Sequence, residues 1–381
     1  MSNVSSSNGL GKYPKLRFKG FFEPWNATVL SDTFKKNSKK NTNGSITNVI
    51  CNSAKNGLIP QREYFDKDIA NADNTDGYYI IEKDDFVYNP RKSTEAPYGP
   101  VSIYKYAEQG IVSPLYLCFR ALHPINAEFF DFYFKSTAWH RYIYLSGDSG
   151  ARHDRVSIRD DIFFAMPINL PSNEEQYKIS SLLTLIEKKI KAQAALVENL
   201  KKYKRGLLST IFSKVTTFVH LKDICEYASS AKTMSQIDNT PKGAYPVYDA
   251  GGVAAFVDFY DMDTNYIAII KDGSGVGRLQ FCQAKSSFIG TLGGLIPKNC
   301  SAFYLYTALQ TIDFKEYVTG MAIPHIYYKD YKEAMLPYPC EEERAKIEIV
   351  FQYLDDKIAK AELLLTKLNE LKKSFLQQLF I

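Results

Sequence analysis

The feature that most constrains this chain is a long internal repeat. Residues 171–212 align without a gap to residues 339–380, so that each position n of the first segment matches position n + 168 of the second. A chance match of this length is improbable, and a fold that contains one of these segments must accommodate its copy as well. Identical pairs include Glu175 with Glu343, Lys178 with Lys346, Ile179 with Ile347, Leu200 with Leu368 and Lys204 with Lys372.

Both copies carry the heptad pattern of a coiled-coil helix, with seam positions that step by four and three. Each begins just after a proline, and Ser172 stands three residues before Glu175 as a capping box, of which Cys340 before Glu343 is a weaker version. From Glu174 onward the first helix spans roughly 58 Å at a rise of about 1.5 Å per residue. The predicted helix-packing residues are Ile179, Leu183, Ile186 and Ile190 in the first copy and Ile347, Phe351, Leu354 and Ile358 in the second.

An isolated heptad segment more often joins two chains, but two equal helices separated by a domain-sized stretch can pack on each other within one molecule. We therefore expect an antiparallel coiled coil that relates the two halves of the chain by a pseudo-two-fold repeat and sets the distance between two domains. Lys204 and Lys372 fall in seam positions, where we interpret them as register markers or as stems that reach solvent.

The stretches outside the helices have the mixed character of α+β domains. Short apolar runs bounded by Gly, Pro, Asn and Asp predict strands at 77–81, 85–88 and 266–270, and helical patches follow at 127–144 and 301–318. The predicted organisation is a first α+β domain at 1–170, a central helix at 171–213, a second α+β domain at 214–338 and a final helix at 339–381. The two domains look related, because His153 and His325 each follow an aromatic helix and a glycine.

Composition excludes several classes of protein. The net charge of +5, from 47 basic and 42 acidic residues, is only a mild bias toward nucleic acid. The six cysteines lie far apart with no C-x-x-C pair, which predicts reduced core thiols and no zinc site. Residues 1–11 lack the apolar core of a signal peptide, and no stretch reaches about 18 apolar residues, so we expect a cytoplasmic protein without membrane contact.

The chain resembles the specificity subunits of type I restriction-modification enzymes over almost its whole length. Each block runs through a proline into a Glu-rich helix start, although the second copy has Arg344 where Glu-Gln is usual. The motifs that carry the resemblance are 56–61 (NGLIPQ), 88–91 (YNPR), 110–116 (GIVSPLY) and 151–156 (ARHDRV) in the first block, and 245–248 (YPVY), 270–278 (IKDGSGVGR) and 323–326 (IPHI) in the second.

The resemblance implies a non-catalytic subunit with two target-recognition domains, each reading one half of a split double-stranded DNA sequence. It also implies that the helices set the gap and bind two copies of a modification (methyltransferase) subunit. S-adenosylmethionine, ATP and magnesium would then belong to partners, the methyltransferase and in some systems a restriction subunit, and this chain would bind no cofactor or metal itself.

The candidate DNA-binding residues are basic or polar side chains in loops of the two blocks, because arginine and lysine bind phosphate and arginine also binds guanine edges. Solvated charge or a structural role is the alternative for each. Gly273–Gly277 is glycine-rich, but a strand follows it, so we predict a turn or a DNA-backbone loop rather than a nucleotide site. The candidates are Arg91, Lys92, Arg152, His153, Arg155, Lys271, Ser274, Arg278 and His325.

Two rival functions stay open on the sequence. A stand-alone DNA-binding or coiled-coil adaptor would share the helices and the basic loops without a modification partner. A chain with its own nuclease or methyltransferase activity ranks last, because Asn89-Pro90-Arg91 lacks the aromatic residue of an adenine methyltransferase motif and no Walker lysine loop occurs.

Overall fold

The computed structural model describes residues 2–3, 13–64, 75–147, 154–320 and 323–381. The chain divides into two compact units, of which unit 1 comprises 1–192 with 365–381 and unit 2 comprises 193–364. The division passes through both long helices, at 192/193 in the first and 364/365 in the second. Each unit therefore contains the beginning of one long helix and the end of the other.

Unit 1 is built on a four-stranded antiparallel sheet in the order β4-β11-β8-β9, with smaller two-stranded pairs around it. Its strands are β1 (Ser2–Asn3), β2 (Leu16–Arg17), β3 (Asn26–Val29), β4 (Phe34–Lys36), β5 (Ile50–Ser53), β6 (Gly57–Pro60), β7 (Tyr79–Ile81), β8 (Phe86–Tyr88), β9 (Val101–Ile103), β10 (Gly110–Val112), β11 (Leu117–Ala121) and β12 (Pro167–Leu170). Its helices are α1 (Gln61–Tyr64), α2 (Ala127–Lys135), α3 (His140–Ser146), α4 (Asp160–Phe164) and the first part of α5 (Asn173–Phe212).

Unit 2 repeats this plan with a four-stranded antiparallel sheet in the order β14-β20-β17-β18. Its strands are β13 (Phe218–His220), β14 (Cys225–Ser229), β15 (Lys242–Asp249), β16 (Gly252–Val257), β17 (Tyr266–Ile270), β18 (Leu279–Cys282), β19 (Ser287–Phe288), β20 (Leu292–Pro297) and β21 (Met335–Pro337). Its helices are α6 (Leu221–Ile224), α7 (Met234–Asp238), α8 (Ala302–Leu309), α9 (Tyr328–Tyr331) and the first part of α10 (Glu341–Gln378).

The two sheets have the same connectivity, because in each the first strand lies beside the fourth, which lies beside the second, which lies beside the third. Each unit also contains a further antiparallel strand pair, β3 with β12 in unit 1 and β13 with β21 in unit 2. The predicted α+β class and the internal repeat are thus confirmed. The predicted strands at 77–81, 85–88 and 266–270 correspond to β7, β8 and β17.

The end of one long helix completes the core of each unit. Phe380 packs its ring against Phe129 and Tyr133 in unit 1, and its repeat partner Phe212 packs against Tyr304 in unit 2. Each buried aromatic ring removes a large apolar surface area from water, and such rings contribute much of the stability of a core. The repeat is therefore kept in packing as well as in sequence.

The helices pair in antiparallel fashion within unit 2, where Gln193 donates a hydrogen bond to the Ala361 carbonyl and Lys204 contacts Asp355. The partner number falls as the position in α5 rises, which only an antiparallel pair allows. Seven of the eight predicted packing residues are buried, and Ile190 is half-buried. No helix among the described residues is both long and apolar enough to cross a membrane.

The two seam lysines are paired with acids on the opposing helix at repeat-related positions. Lys204 contacts Asp355 in unit 2, and Lys372 contacts Glu187 at 2.7 Å in unit 1. Because 187 and 355 are related by the same offset as 204 and 372, each unit holds the same ion pair. Both lysines are mostly buried, at 14% and 25% exposure, so the interpretation of the lysines as register markers has a physical basis.

Candidate nucleic-acid interface

The loop that follows β8 in unit 1 is fastened to the residues that precede α4. The Lys92 N–H donates to the Asp154 carbonyl at 2.8 Å, and the Val156 N–H donates to the Pro90 carbonyl at 2.9 Å. Arg91 and Arg155 consequently face each other across an antiparallel bridge. Two of the candidate arginines, distant in sequence, thus lie side by side.

The loop that follows β17 in unit 2 is fastened in the same way to the residues that precede α9. The Gly273 N–H donates to the Pro324 carbonyl at 2.9 Å, and the Ile326 N–H donates to the Lys271 carbonyl at 2.9 Å. Asp272 and His325 face each other across the bridge. Because β8 and β17 hold the same place in their sheets, the two loops are equivalent positions of one plan.

This hydrogen-bond register corrects one expectation from the sequence. His153 was matched with His325, but the residue that occupies the place of His325 in unit 1 is Arg155. The sequence comparison aligned the two motifs by their glycines and histidines, whereas the backbone pairs them two residues further along. His153 and Arg152 lie outside the described residues.

A buried asparagine and a half-buried one position the backbone of Arg91. The Asn52 side chain, 5% exposed, donates to the Val87 carbonyl at 2.8 Å and accepts from the Ser102 hydroxyl at 2.7 Å. Asn89 in turn donates to the Asn52 carbonyl at 3.1 Å and accepts from the Arg91 N–H at 3.1 Å. Sequence reasoning missed both asparagines as positioning residues, and the only signal was the turn-forming Asn-Pro pair at 89–90.

These residues open onto a cleft of about 680 Å³ in unit 1. Its walls carry four basic side chains, Lys55, Arg91, Lys92 and Arg155, against one acidic side chain, Glu95. The Arg155 Nε–H is buried and has no hydrogen-bond partner among the described residues. A buried donor without a partner favours an incoming acceptor, and a cleft with excess positive charge favours an anionic one.

The glycine-rich segment of unit 2 is a turn, as predicted. It leads directly into β18, so no helix N-terminus is present there to bind phosphate. Gly277 has φ +81°, and a Cβ built on it would lie 2.8 Å from the Cβ of Phe314. A side chain is therefore excluded at this position by both backbone conformation and space, whereas Ser274 is exposed within the turn.

The remaining candidates of unit 2 lie around this turn. Arg278 is exposed and donates from Nη2 to the Ala250 carbonyl, which ties β18 to the turn between β15 and β16. His325 is half-buried, with Nδ1 3.2 Å from the Ile323 carbonyl and its ring 4.9 Å from the Tyr327 ring. Lys271 is half-buried at the start of the loop. The roles of all these residues in DNA binding stay predictions.

The cysteines with raised pKa values are not prepared to act as nucleophiles. Burial raises the pKa of the Cys118 thiol to about 12 and that of Cys225 to about 11, which keeps both protonated and unreactive. Burial also raises the pKa of Cys51, which lines the cleft. No group of three or more His, Cys, Asp or Glu side chains in the described ranges is placed to hold a metal ion.

The ion pairs of Glu187 on the first long helix lower the pKa of its carboxyl group. Burial would raise the pKa of Glu187, but the charges of Lys135 and Lys372 overcome it and lower that pKa below its usual value. Lys135 also bonds Asp131, which is 3% exposed on α2. The carboxylate of Glu187 therefore links both long helices to the sheet-and-helix body of unit 1.

Comparison with known proteins agrees with this architecture. Residues 214–373 match the family described as "Type I restriction modification DNA specificity domain". Over 175 residues the chain is also 27% identical to the type I restriction enzyme MjaVIII specificity subunit of Methanocaldococcus jannaschii, a match that covers 42% of this chain and 41% of that protein. Residues 214–373, less than half of the chain, are thus similar to the specificity domain of type I restriction-modification enzymes.

Solved structures extend the likeness to residues 1–213, which the family match does not cover. The type I restriction-modification S subunit from M. genitalium superimposes with a TM-score of 0.64 over 97% of this chain and 99% of that one, at 18% identity. A second structure, from a study of complex assembly and conformational transition of the type I R-M system, gives a TM-score of 0.57 over 92% of this chain and 96% of that one, at 14% identity. At these identities the likeness establishes a shared fold.

Proposed function

We propose that this chain is the DNA specificity subunit of a type I restriction-modification enzyme, in which each unit reads one half of a gapped target sequence. The observation that carries the proposal is the equivalence of the two loops after β8 and β17. Each loop follows the equivalent strand of its own sheet, has the same backbone register, and bears basic side chains. A repeated reader of this kind suits a target made of two half-sites.

Unit 1 is the better-defined reader. Arg91 and Arg155 lie together in a cleft with excess positive charge, and the guanidinium fork matches both phosphate oxygens and the O6/N7 edge of guanine. The side-chain amides of the buried Asn52 and the half-buried Asn89 hold the loop in place before DNA binds, which lowers the entropic cost of binding. Unit 2 offers Lys271, Ser274, Arg278 and His325 as its counterpart set.

The long helices offer matched surfaces for two copies of one protein partner. Leu185 on α5 is 64% exposed and its repeat partner Tyr353 on α10 is 59% exposed. Tyr203 and its partner Leu371 are likewise 59% and 42% exposed. Large apolar side chains exposed at repeat-related positions are typical of an interface made twice, so we assign these positions to two modification subunits.

In this proposal the chemistry belongs to the partners. The modification subunits supply adenine methylation with S-adenosylmethionine, a restriction subunit supplies any ATP- and magnesium-dependent cleavage, and the present chain binds no cofactor and acts in the cytoplasm. A stand-alone DNA-binding adaptor remains the alternative.

The deciding experiment is to co-express this chain with the methyltransferase subunit encoded beside it and to map adenine methylation across a plasmid. A single gapped motif that disappears when this chain is omitted supports the proposal. Methylation at the same sites when this chain is omitted contradicts the proposal. Binding of a gapped DNA site by this chain alone, without formation of a complex with the methyltransferase subunit, supports the adaptor.

A residue-level test uses Arg91→Gln. Loss of one phosphate contact should weaken DNA binding and reduce the slope of log affinity against log salt by about 1, whereas loss of a base contact should relax one position of the methylated motif. Arg159→Gln is the matched control, because that arginine is 80% exposed and paired with Asp161 outside the cleft. Equal effects of the two variants would contradict the placement of the reader in the cleft.

A further inference from the structure

The repeat makes one asymmetry between the units visible. Unit 2 contains an open groove of about 580 Å³ where the end of α5 meets the beginning of α10. Six of its lining residues are Ile211, Val215, Pro339, Cys340, Glu343 and Ile347. We call this the unit 2 groove.

The corresponding place in unit 1 is filled by the chain itself. At an offset of 168 the positions equivalent to Pro339, Glu343 and Ile347 are Pro171, Glu175 and Ile179. There Arg17 donates from Nε and Nη2 to the two carboxylate oxygens of Glu175, each at 2.8 Å. The arginine is 4% exposed and the glutamate 1%, so the pair is sealed from solvent.

The rest of the covering segment, residues 13–21, completes the seal. Leu16 and Phe18 pack against the core that contains Ile179 and Leu379. The ammonium of Lys178 lies 4.7 Å from the centre of the Phe21 ring. In unit 1 this place is thus occupied by an extended segment in which apolar side chains flank one arginine.

The unit 2 groove lacks such a cover. Glu343 is exposed and forms no ion pair with any residue of the described ranges. Val350 is 39% exposed, whereas its repeat partner Leu182 is half-buried against the unit 1 core. In unit 2 the acid and Val350 are therefore exposed, whereas Ile347 is buried at 6% exposure.

We propose that the unit 2 groove is a docking site for a protein partner that inserts an extended segment with an arginine between apolar or aromatic side chains. The arginine binds Glu343 as Arg17 binds Glu175, and the flanking side chains cover Val350. The inference rests on the repeat and on the occupied copy in unit 1, and it holds whether or not the chain reads DNA.

The test uses a fluorescein-labelled peptide with the sequence of residues 13–21, YPKLRFKGF, and the full chain. Fluorescence anisotropy should show saturable binding. Glu343→Gln in the protein, or Arg→Gln in the peptide, should weaken binding about tenfold or more, since a charge-assisted bidentate contact is lost. Glu341→Gln is the control, because that exposed glutamate lies two positions away on the same helix turn and faces elsewhere.

Cys340 reports where the peptide binds. It lines the groove and is the exposed cysteine of the chain, whereas its repeat partner in unit 1 is Ser172. Saturating peptide should slow alkylation of Cys340 by iodoacetamide, measured by mass spectrometry, with the half-buried Cys51 and Cys300 as internal references. Absence of saturable binding, binding unchanged by Glu343→Gln, or binding without protection of Cys340 would each overturn the proposal.

Discussion

The buried ion pair of unit 1 gives the sharpest prediction on stability. In Glu175→Gln the shape of the side chain is kept, but the Arg17 guanidinium, 4% exposed, loses its counter-charge. Removal of one partner from a buried pair typically costs about 3 to 5 kcal/mol, because the remaining charge stays out of water. With a urea m value of about 2 to 3 kcal/mol/M, the unfolding midpoint of unit 1 should fall by about 1 M or more.

The chain carries its own reporter for this measurement. Its two tryptophans, Trp25 and Trp139, both lie in the core of unit 1, at 2% exposure each. Tryptophan emission during urea titration therefore follows unit 1 and is silent for unit 2. The double variant Arg17→Met with Glu175→Gln should recover most of the loss, since it removes the uncompensated charge.

The repeat supplies a matched control. Glu343→Gln changes the same residue type at the same position of the second helix, where the carboxylate is exposed, and should alter stability by less than about 0.5 kcal/mol. Both variants lose the same interaction with the helix dipole, so the difference between them isolates the buried pair. A loss below about 1 kcal/mol for Glu175→Gln, or equal losses for both variants, would refute the reasoning.

Three further predictions concern other contacts. Gly277→Ala should destabilise unit 2 by about 1 to 3 kcal/mol in urea titrations followed by circular dichroism, because of the positive φ and the nearby Phe314; a neutral result would contradict the strain. The pKa of Glu187 is lowered from 4.5 in the folded state, so its stabilisation is present above that pH and lost as pH falls through the folded pKa. Glu187→Gln should therefore cost stability at pH 7 and progressively less as the pH falls below 4.5, and a cost that does not change with pH would contradict the assignment. Asp355→Lys should destabilise unit 2, the swapped pair with Lys204→Asp should restore most of the loss, and failure of the swap would show that the seam pair has no register role.

The long helices were predictable because their signal is local and repeated. Heptad spacing over many turns specifies a helix almost without reference to the rest of the fold, and the helix predicted from Glu174 to Phe212 is observed from Asn173. Of the two hydrogen bonds of the predicted capping box, one is present. Ser172 accepts from the Glu175 N–H at 3.3 Å, but the Glu175 carboxylate bonds Arg17 instead of the cap backbone.

Contacts between distant segments were not predictable from local pattern. The partners Arg17 and Glu175 are separated by 158 residues, and the sequence pattern around one does not indicate that it pairs with the other. The pairing of Arg91 with Arg155 likewise depends on backbone hydrogen bonds between two loops, and the sequence placed both residues only as separate candidates. The parallel pairing of β15 with β19 also arises from tertiary packing, because the alternation of apolar and polar residues along a strand does not indicate which strand is its partner.

The exchange of helix ends between units has a consequence for the order of folding during synthesis. Unit 2 is one continuous stretch, 193–364, and contains all of its core partners as soon as that stretch has left the ribosome. Unit 1 also needs residues 365–381, including Leu379 and Phe380, which are made only after the whole of unit 2. Because domains generally fold as their residues become available, the half of the protein that is translated first is the half that closes last, and its apolar surface stays exposed to chaperones in the meantime.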